Sequence, residues 1–372
     1  MSLYIHQQKS WPEFRWDQEA ILKPLSDVRN RQGRLFGRME SLGFELRAEA
    51  LLETLTEDVL KSSEIEGEIL DKGQVRSSIA KRLGMDVGGT EEADRNVDGV
   101  VEMMLDATQR YAEPLTQERL FGWHASLFPT GHSGMSKITV AAWRPADVDP
   151  MQVVSGYYGK QKVHFEAPGG ALLEAEMDRF LKWFNGDDRM EPVLKSAIAH
   201  LWFVTIHPFE DGNGRIARAI ADMALARSEN SPQRFYSMSA QIRVERKRYY
   251  DVLEATQKGD LTIDAWLAWF LECLLRAIDG AEDILGAVLT KARFWERLAG
   301  QPLSDRQRTM INRLLDGFEG KLTSGKWAVI TKTSPDTALR DITDLVERGI
   351  LVKEPGGGRS TSYALAGIAY GV

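Results

Sequence analysis

Cysteine is almost absent. The only one in 372 residues is Cys273, which excludes a disulfide framework and any cysteine-based metal site and makes a reducing compartment, the cytoplasm, the expected home. Long hydrophobic runs are missing as well. No stretch approaches the roughly 20 apolar residues that cross a bilayer, and the opening residues MSLYIHQQKSWPEF contain no apolar h-region, so no membrane association is expected. Nor is there a surplus of positive charge: 47 Lys and Arg stand against 54 Asp and Glu, a net charge of −7. That balance argues against a general nucleic-acid or membrane-surface binder, while leaving room for a local patch. The remainder is ordinary for a soluble globular chain, 43% hydrophobic and 27% charged, and the length predicts two or three domains with an ample core.

The chain is organised around one stretch, residues 197–226, reading AIAHLWFVTIHPFEDGNGRIARAIADMALA. Its first half is apolar nearly all round apart from His200 and Thr205, the pattern of a helix buried in a large core. Pro208 ends that helix and pushes His207 out of the α region, so the His207 ring can point into a loop that Phe209 anchors in the core. Gly212, Asn213 and Gly214 tolerate positive φ, which lets successive N–H groups curl into an anion-binding nest. A second helix starts at about Arg215. Its N-terminus faces the same point, and Arg215 and Arg218, three apart, share a face above it. Two guanidiniums on one nest suggest a polyphosphate. Asp211, a carboxylate among anion-binding groups, suits a hard cation such as Mg²⁺ bridging to phosphate oxygens, and His207 is the titratable base. Gly212, Gly214 and Ala217 also satisfy a dinucleotide-binding pattern, but that pattern needs a preceding strand, and this segment is helical.

These residues carry a resemblance. His207-Pro208-Phe209-Glu210-Asp211-Gly212-Asn213-Gly214-Arg215-Ile216-Ala217-Arg218 resembles the motif of Fic-domain proteins, HPF-x-D/E-GNGR-x-x-R, at every fixed position. The resemblance implies a protein adenylyltransferase, which moves AMP from ATP to a Ser, Thr or Tyr hydroxyl of a protein and releases pyrophosphate. It implies that His207 deprotonates the hydroxyl, that Asp211 holds Mg²⁺, and that Asn213 with the loop amides of Gly212 and Gly214 binds the α-phosphate. Arg215 and Arg218 then bind the β- and γ-phosphates.

Earlier in the chain, residues 11–17 form an aromatic-rich entry, and amphipathic helices are expected over about 18–38 and 45–61 with Gly43 between them. In KSSEIEGEIL, Ser62 can cap a short helix, Ser63 to Glu66 give about one turn, and Gly67 suits its end. Such a helix is ordinarily a connector. Residues 62–67 are similar to the Fic inhibitory motif S/T-x-x-x-E-G/N, however, which implies that Glu66 reaches into the site and pairs with Arg218. Residues 96–110 and 116–128 read as helices, with Met103 and Met104 as core filler and His124 and His132 as structural residues. Between Pro145 and Pro168 the pattern turns β-like. Runs at 153–154 and 162–165 outline a hairpin, whose open edge can accept an extended peptide. In Fic proteins this hairpin, the flap, holds the target segment near the catalytic histidine.

Residues 235–257 read as a loop and a helix carrying Arg246, Tyr249 and Tyr250. One tyrosine is expected in the core, and the resemblance implies that Tyr249 or Tyr250 borders the nucleoside. Residues 264–278 form an apolar core helix with Trp266, Trp269 and Phe270. From Leu303 a helix over 304–318, a helix over 334–348 and short strands at 350–353 and 362–365 outline a winged helix-turn-helix. Its ten Lys and Arg against eight Asp and Glu over 304–365 do not favour DNA, and protein interaction or homodimerisation is as good a reading. The P-loop-like GKLTSGK is dismissed, because Trp327 replaces the required Ser or Thr and a helix precedes it. The expected organisation is thus mostly α: an N-terminal helical region (1–90) with the inhibitory motif, a Fic helical core (91–285) with its β-hairpin flap, and a winged helix (300–372). Two rival functions remain open at this point. One is a DNA-binding regulator whose core only senses nucleotide; the other is an enzyme of the same core that removes AMP or transfers another phosphate-containing group.

Overall fold

A computed structural model describes residues 4–85, 92–146, 151–155, 161–186, 190–318, 320–354 and 361–367. They form two compact units, one comprising Met1–Met85 with Glu91–Val288, the other Leu289–Val372. The first unit is helical: α1 (Gln18–Glu40), α2 (Phe44–Ile65), α3 (Lys72–Leu83), α4 (Arg95–Gln109), α5 (Gln117–Leu127), α6 (Leu173–Asn185), α7 (Pro192–Ile206), α8 (Asn213–Glu229), α9 (Met238–Val244), α10 (Arg246–Gln257) and most of α11 (Asp264–Arg297). Two antiparallel hairpins interrupt it, β1 (His132–Ser133) with β2 (Ser136–Lys137) and β3 (Gln152–Ser155) with β4 (Lys162–Glu166). At its centre α7 packs along α8. Buried on nearly every face, α7 places Ala197, Ile198, Leu201, Phe203 and Ile206 in the core. The expected mostly helical class, with a hairpin ahead of the central helix pair, is what is found.

Several helices start with the side chain their local sequence supplies. Asp17, Asp71, Asp94, Thr116 and Glu191 accept from first-turn amides of α1, α3, α4, α5 and α7, and Pro192 follows at a position where its missing N–H costs nothing. The flap expectation places two β runs, and β3 and β4 pair as Gln152↔Glu166, Val153↔Phe165, Val154↔Val163 and Ser155↔Lys162 with a bulge at Val153/Val154. Residues 156–160 of that segment lie outside the described ones. So does most of the Gly-rich stretch 84–90.

Three expectations need correction. Residues 62–66 are not a separate short helix. α2 runs unbroken to Ile65, because Ser62 and Ser63 are buried inside it, and the Ser62 hydroxyl serves another chain segment instead of capping. The next helix is α3, on whose residues the sequence reading placed no element. The apolar helix from Asp264 continues to Arg297 rather than ending near 278. In the second unit, α12 (Asp305–Leu315), α13 (Ser324–Ile330), α14 (Pro335–Glu347) and the antiparallel pair β5 (Leu351–Lys353) and β6 (Tyr363–Leu365) surround a separate core of Met310, Ile311, Leu314, Trp327, Ile342, Leu345 and Leu351. Trp327, the residue that breaks the P-loop pattern, is buried at its centre.

Candidate active site

The loop between α7 and α8 is built from its proline outward. Held out of the α region by Pro208, His207 caps α7 at φ 52° and ψ 58°, left-handed for a non-glycine residue, with its N–H still bonded to the Phe203 carbonyl. Strain of this kind persists only where the surroundings enforce it. Here Arg144 does so: its Nε donates to the His207 carbonyl at 2.9 Å, its backbone N–H to the Pro208 carbonyl at 2.9 Å, and its guanidinium to the Pro168 carbonyl. The His207 Nδ1 lies 3.2 Å from the Val204 carbonyl. That contact keeps the proton on Nδ1 and leaves the Nε2 lone pair free. Burial, aided by the Arg144 charge, lowers the His207 pKa to about 4, so the ring is neutral at pH 7.

Phe209 anchors the loop as expected, fully buried and stacked on His124 with ring centroids 4.2 Å apart. Asn213 closes the loop around it. Its Oδ1 accepts from the Phe209 N–H at 3.0 Å and its Nδ2 donates to the Phe209 carbonyl at 2.8 Å, so the amide side chain shapes the loop. His124, half of the structural pair expected, braces the same loop: Nε2 donates to the Asp211 carbonyl at 3.2 Å while Nδ1 accepts from the Ala141 N–H at 3.2 Å. α8 starts at Asn213, two residues before Arg215, because Gly212 takes φ 81° and directs the chain into the first turn. A Cβ there would lie 2.9 Å from the Phe128 ring, so glycine is required twice over. The amides of Asn213, Gly214 and Arg215 have no acceptor within the helix, and the positive end of the helix dipole adds to them.

Asp211 is half-buried beside this end. One carboxylate oxygen accepts from the Gly212 N–H at 2.6 Å, and the other accepts from the Ser133 hydroxyl at the β1 end. Among the described residues no cluster of three or more His, Cys, Asp and Glu could cage a metal. A single carboxylate fits Mg²⁺ only where the cation shares substrate phosphates, as Mg²⁺ commonly does.

The two arginines are buried, with side chains 8% and 2% exposed. Arg218 donates from Nε to the Ser62 hydroxyl at 3.0 Å and from Nη2 to the Ser62 carbonyl at 2.9 Å and to Glu66 Oε1 at 2.8 Å. Glu66 thus meets Arg218. The carboxylate crowds the nest: a Cβ on Gly214 would fall 2.3 Å from Glu66 Oε1. Arg215 stacks on Phe128 at 5.2 Å and donates to Glu68 at 2.7 Å. Tyr249 is the core tyrosine, buried against Trp266 and Trp269 with its hydroxyl 2.9 Å from His200 Nε2. Tyr250 is 36% exposed under the Arg246 guanidinium, and Arg246 donates to the Ile65 carbonyl at 2.8 Å. On the flap, His164 bridges Ser155 (2.6 Å) and Glu254 of α10 (2.5 Å). Arg144, Ser133, Glu68 and Glu254 carry site contacts that sequence reasoning missed. Only Glu68 left a local trace, an acid two residues past Glu66.

A neutral imidazole, a helix N-terminus and two buried guanidiniums thus lie together within a helical fold. Comparison with known proteins places the chain beside Fic proteins. Residues 114–225 match the Fic/DOC family, and residues 4–85 match a domain of unknown function (DUF4172). The chain is 27% identical over 241 residues to the protein adenylyltransferase Fic of Culex quinquefasciatus, covering 61% of this chain and 41% of that one. To the Drosophila melanogaster protein of the same name it is 25% identical over 313 residues, covering 80% and 58%. The chain thus spans roughly half the length of these relatives. A Fic family protein from Desulfovibrio desulfuricans superposes with a TM-score of 0.52 at 20% identity, over 95% of this chain and 98% of that one. A Fic-domain protein from Bacteroides thetaiotaomicron gives 0.51 at 20% identity, over 72% and 97%. The chain carries a Fic domain and its fold is the Fic fold.

Proposed function

We propose that this protein transfers AMP from ATP to a Ser, Thr or Tyr hydroxyl of a target protein, and of itself, and that its resting state is held back by Glu66. The observation that carries the reading is the pairing of a neutral His207, with its Nε2 free, and a helix N-terminus bearing Arg215 and Arg218. His207 Nε2 accepts the hydroxyl proton as the oxygen attacks the α-phosphorus and the bond to the β-phosphate oxygen breaks. The loop amides, held open by the Asn213 clamp, bind the α-phosphate. Arg215 and Arg218 take the β- and γ-phosphates and stabilise the negative charge that builds on the departing pyrophosphate. Asp211 would hold Mg²⁺, which supplies charge neutralisation across the phosphates. Tyr250 is the member of the tyrosine pair with a face left for the nucleoside. The flap strands, with Val154 and Val163 exposed, are the edge that receives the target segment. No helix among the described residues is long and apolar enough to cross a membrane.

Glu66 and a γ-phosphate compete for one guanidinium. A charged hydrogen bond of this kind is worth about 1.5–3 kcal/mol, and a nucleotide held off its in-line position reacts far more slowly. Labelling by ATP carrying the isotope at the α-phosphate should therefore rise at least about tenfold in Glu66→Gly. His207→Ala should lower that labelling by about 10²- to 10⁴-fold, the usual worth of a general base, and the double variant should be as inactive as His207→Ala. Transfer of γ-label instead of α-label would sink the adenylyl reading. No rise in a folded, ATP-binding Glu66→Gly would leave Glu66 without an inhibitory role.

A further inference from the structure

From the geometry of the α2 terminus we infer that Glu68 is a second inhibitory carboxylate, which withholds Arg215 from phosphate while Glu66 withholds Arg218. The inference rests on the nucleotide-binding reading above and concerns the regulation of that site.

The placement follows from how α2 ends. Gly67 takes φ 88°, the left-handed region open to glycine. Its N–H bonds to the Glu64 carbonyl at 3.1 Å, and the Glu68 N–H bonds to the Ser63 carbonyl at 3.0 Å. These are the two bonds of a Schellman stop. The reversal sends the side chains on either side of Gly67 toward the same neighbour, the first two turns of α8. Glu66 Oε1 meets Arg218 Nη2 at 2.8 Å and Glu68 Oε2 meets Arg215 Nη1 at 2.7 Å. The arginines are three residues apart and share a helix face, so one rigid turn presents two acids in register with two bases.

A surface ion pair is the alternative reading, and burial speaks against it. The guanidiniums are nearly covered, whereas Glu66 and Glu68 are 32% and 35% exposed. Removing either acid therefore uncovers a buried cation facing an opening, where an incoming anion can replace the acid. Arg215 lies in the first turn of α8, where a cation opposes the helix dipole and an anionic partner offsets that cost. The two pairs are not equivalent. Arg218 keeps both contacts to Ser62 when Glu66 leaves, but Glu68 supplies the one hydrogen bond found for Arg215 among the described residues, and Arg215 Nε is buried without a partner. Losing Glu68 frees Arg215 almost entirely.

The test reads binding, so it does not depend on transfer. In the full-length chain carrying His207→Ala, ATP, ADP and AMP are titrated by calorimetry with Mg²⁺ present. Glu68→Gln should tighten ATP and ADP by about 3- to 10-fold, between the worth of an exposed pair and a buried one, and leave AMP unchanged because AMP lacks the phosphates that Arg215 would meet. Glu68→Asp keeps the charge on a shorter arm and should fall between. The gain should persist when Glu66→Gly is added. Unchanged ATP and ADP affinity for Glu68→Gln, with the thermal unfolding profile of the parent, overturns the inference. So does equal tightening of AMP. With His207 restored, Glu66→Gly that binds ATP but transfers no α-label fails the transferase reading alone, and Glu68 is still decided by the titrations. No binding of ATP by Glu66→Gly/Glu68→Gln overturns both.

Discussion

The histidine at the end of α7 shows how a single side chain acquires a role from its surroundings. An ordinary imidazole titrates near 6.5; burial and the nearby Arg144 charge bring His207 to about 4. The sign of the consequence is definite. A general base works only while neutral, and a lowered pKa keeps it neutral to more acidic pH, so the acid limb of kcat/KM should lie well below 6 and the profile should be flat from pH 6 to 8. Initial rates of α-label transfer by Glu66→Gly from pH 4 to 8 check this. A limb centred near 6.5 would mean that the ring is solvated and unperturbed. Phosphates arriving beside His207 favour its protonated form, so the kcat limb, which reports the bound complex, should sit higher than that of kcat/KM.

Elements matter through how closely they approach. α4 and α5 touch where Gly99 meets the carbonyl of Ser126: a Cβ at 99 would lie 1.8 Å from that oxygen, and backbone cannot step aside as a flexible side chain can. α5 in turn carries His124 and Leu127, and with Phe128 just past its end it lines the nest under Gly212. Gly99→Ala should therefore cost about 1–3 kcal/mol of stability through overpacking, read as a lower urea midpoint. Gly122→Ala on α5 is the control: nothing lies within 4 Å of its Cβ position, and it should match or slightly exceed the parent. Equal midpoints for the two variants would show that α4 and α5 can separate without loss. The flap is held by contacts with other segments. Phe165 is buried against Tyr4 and His6, and Glu254, its carboxyl lowered to about 2 despite partial burial by hydrogen bonds from Lys258 and His164, ties β4 to α10. A lone two-stranded hairpin would be marginal in water.

For the molecule as a whole, the open question is the role of the unit from Leu289 onward. In a helix-turn-helix reading α14 would enter the major groove. It carries Asp336, Asp341, Asp344 and Glu347 against Arg340, and the one arginine shares its surface with Asp336, Asp344 and Glu347. Such a helix repels a duplex. The intact chain should therefore bind a mixed-sequence duplex only weakly, and what binding exists should vanish as salt rises from 50 to 200 mM. Tight, sequence-dependent retention at 200 mM would establish a DNA-binding role and restore the regulator reading.

The sequence alone determined the helical class, the glycine-bearing loop between the two central helices, and which histidine and arginines stand at it, because these are local. A proline two residues past the helix end, glycines at the turn and charges one turn apart act over a few residues, and their geometry follows from backbone sterics. It also placed Glu66, though on the wrong element, since helix propensity at Ser62 and Ser63 was decided by burial against α8 and not by their own preference for caps. What only the tertiary structure could decide was every contact between distant segments. Arg144 enforcing the His207 backbone, Ser133 on Asp211, Glu254 holding the flap and Glu68 on Arg215 join residues from 63 to 147 positions apart. No periodicity encodes such pairs. They arise when burial of α7 and α8 leaves cations and carbonyls that must find partners from whichever chain segment packs beside them.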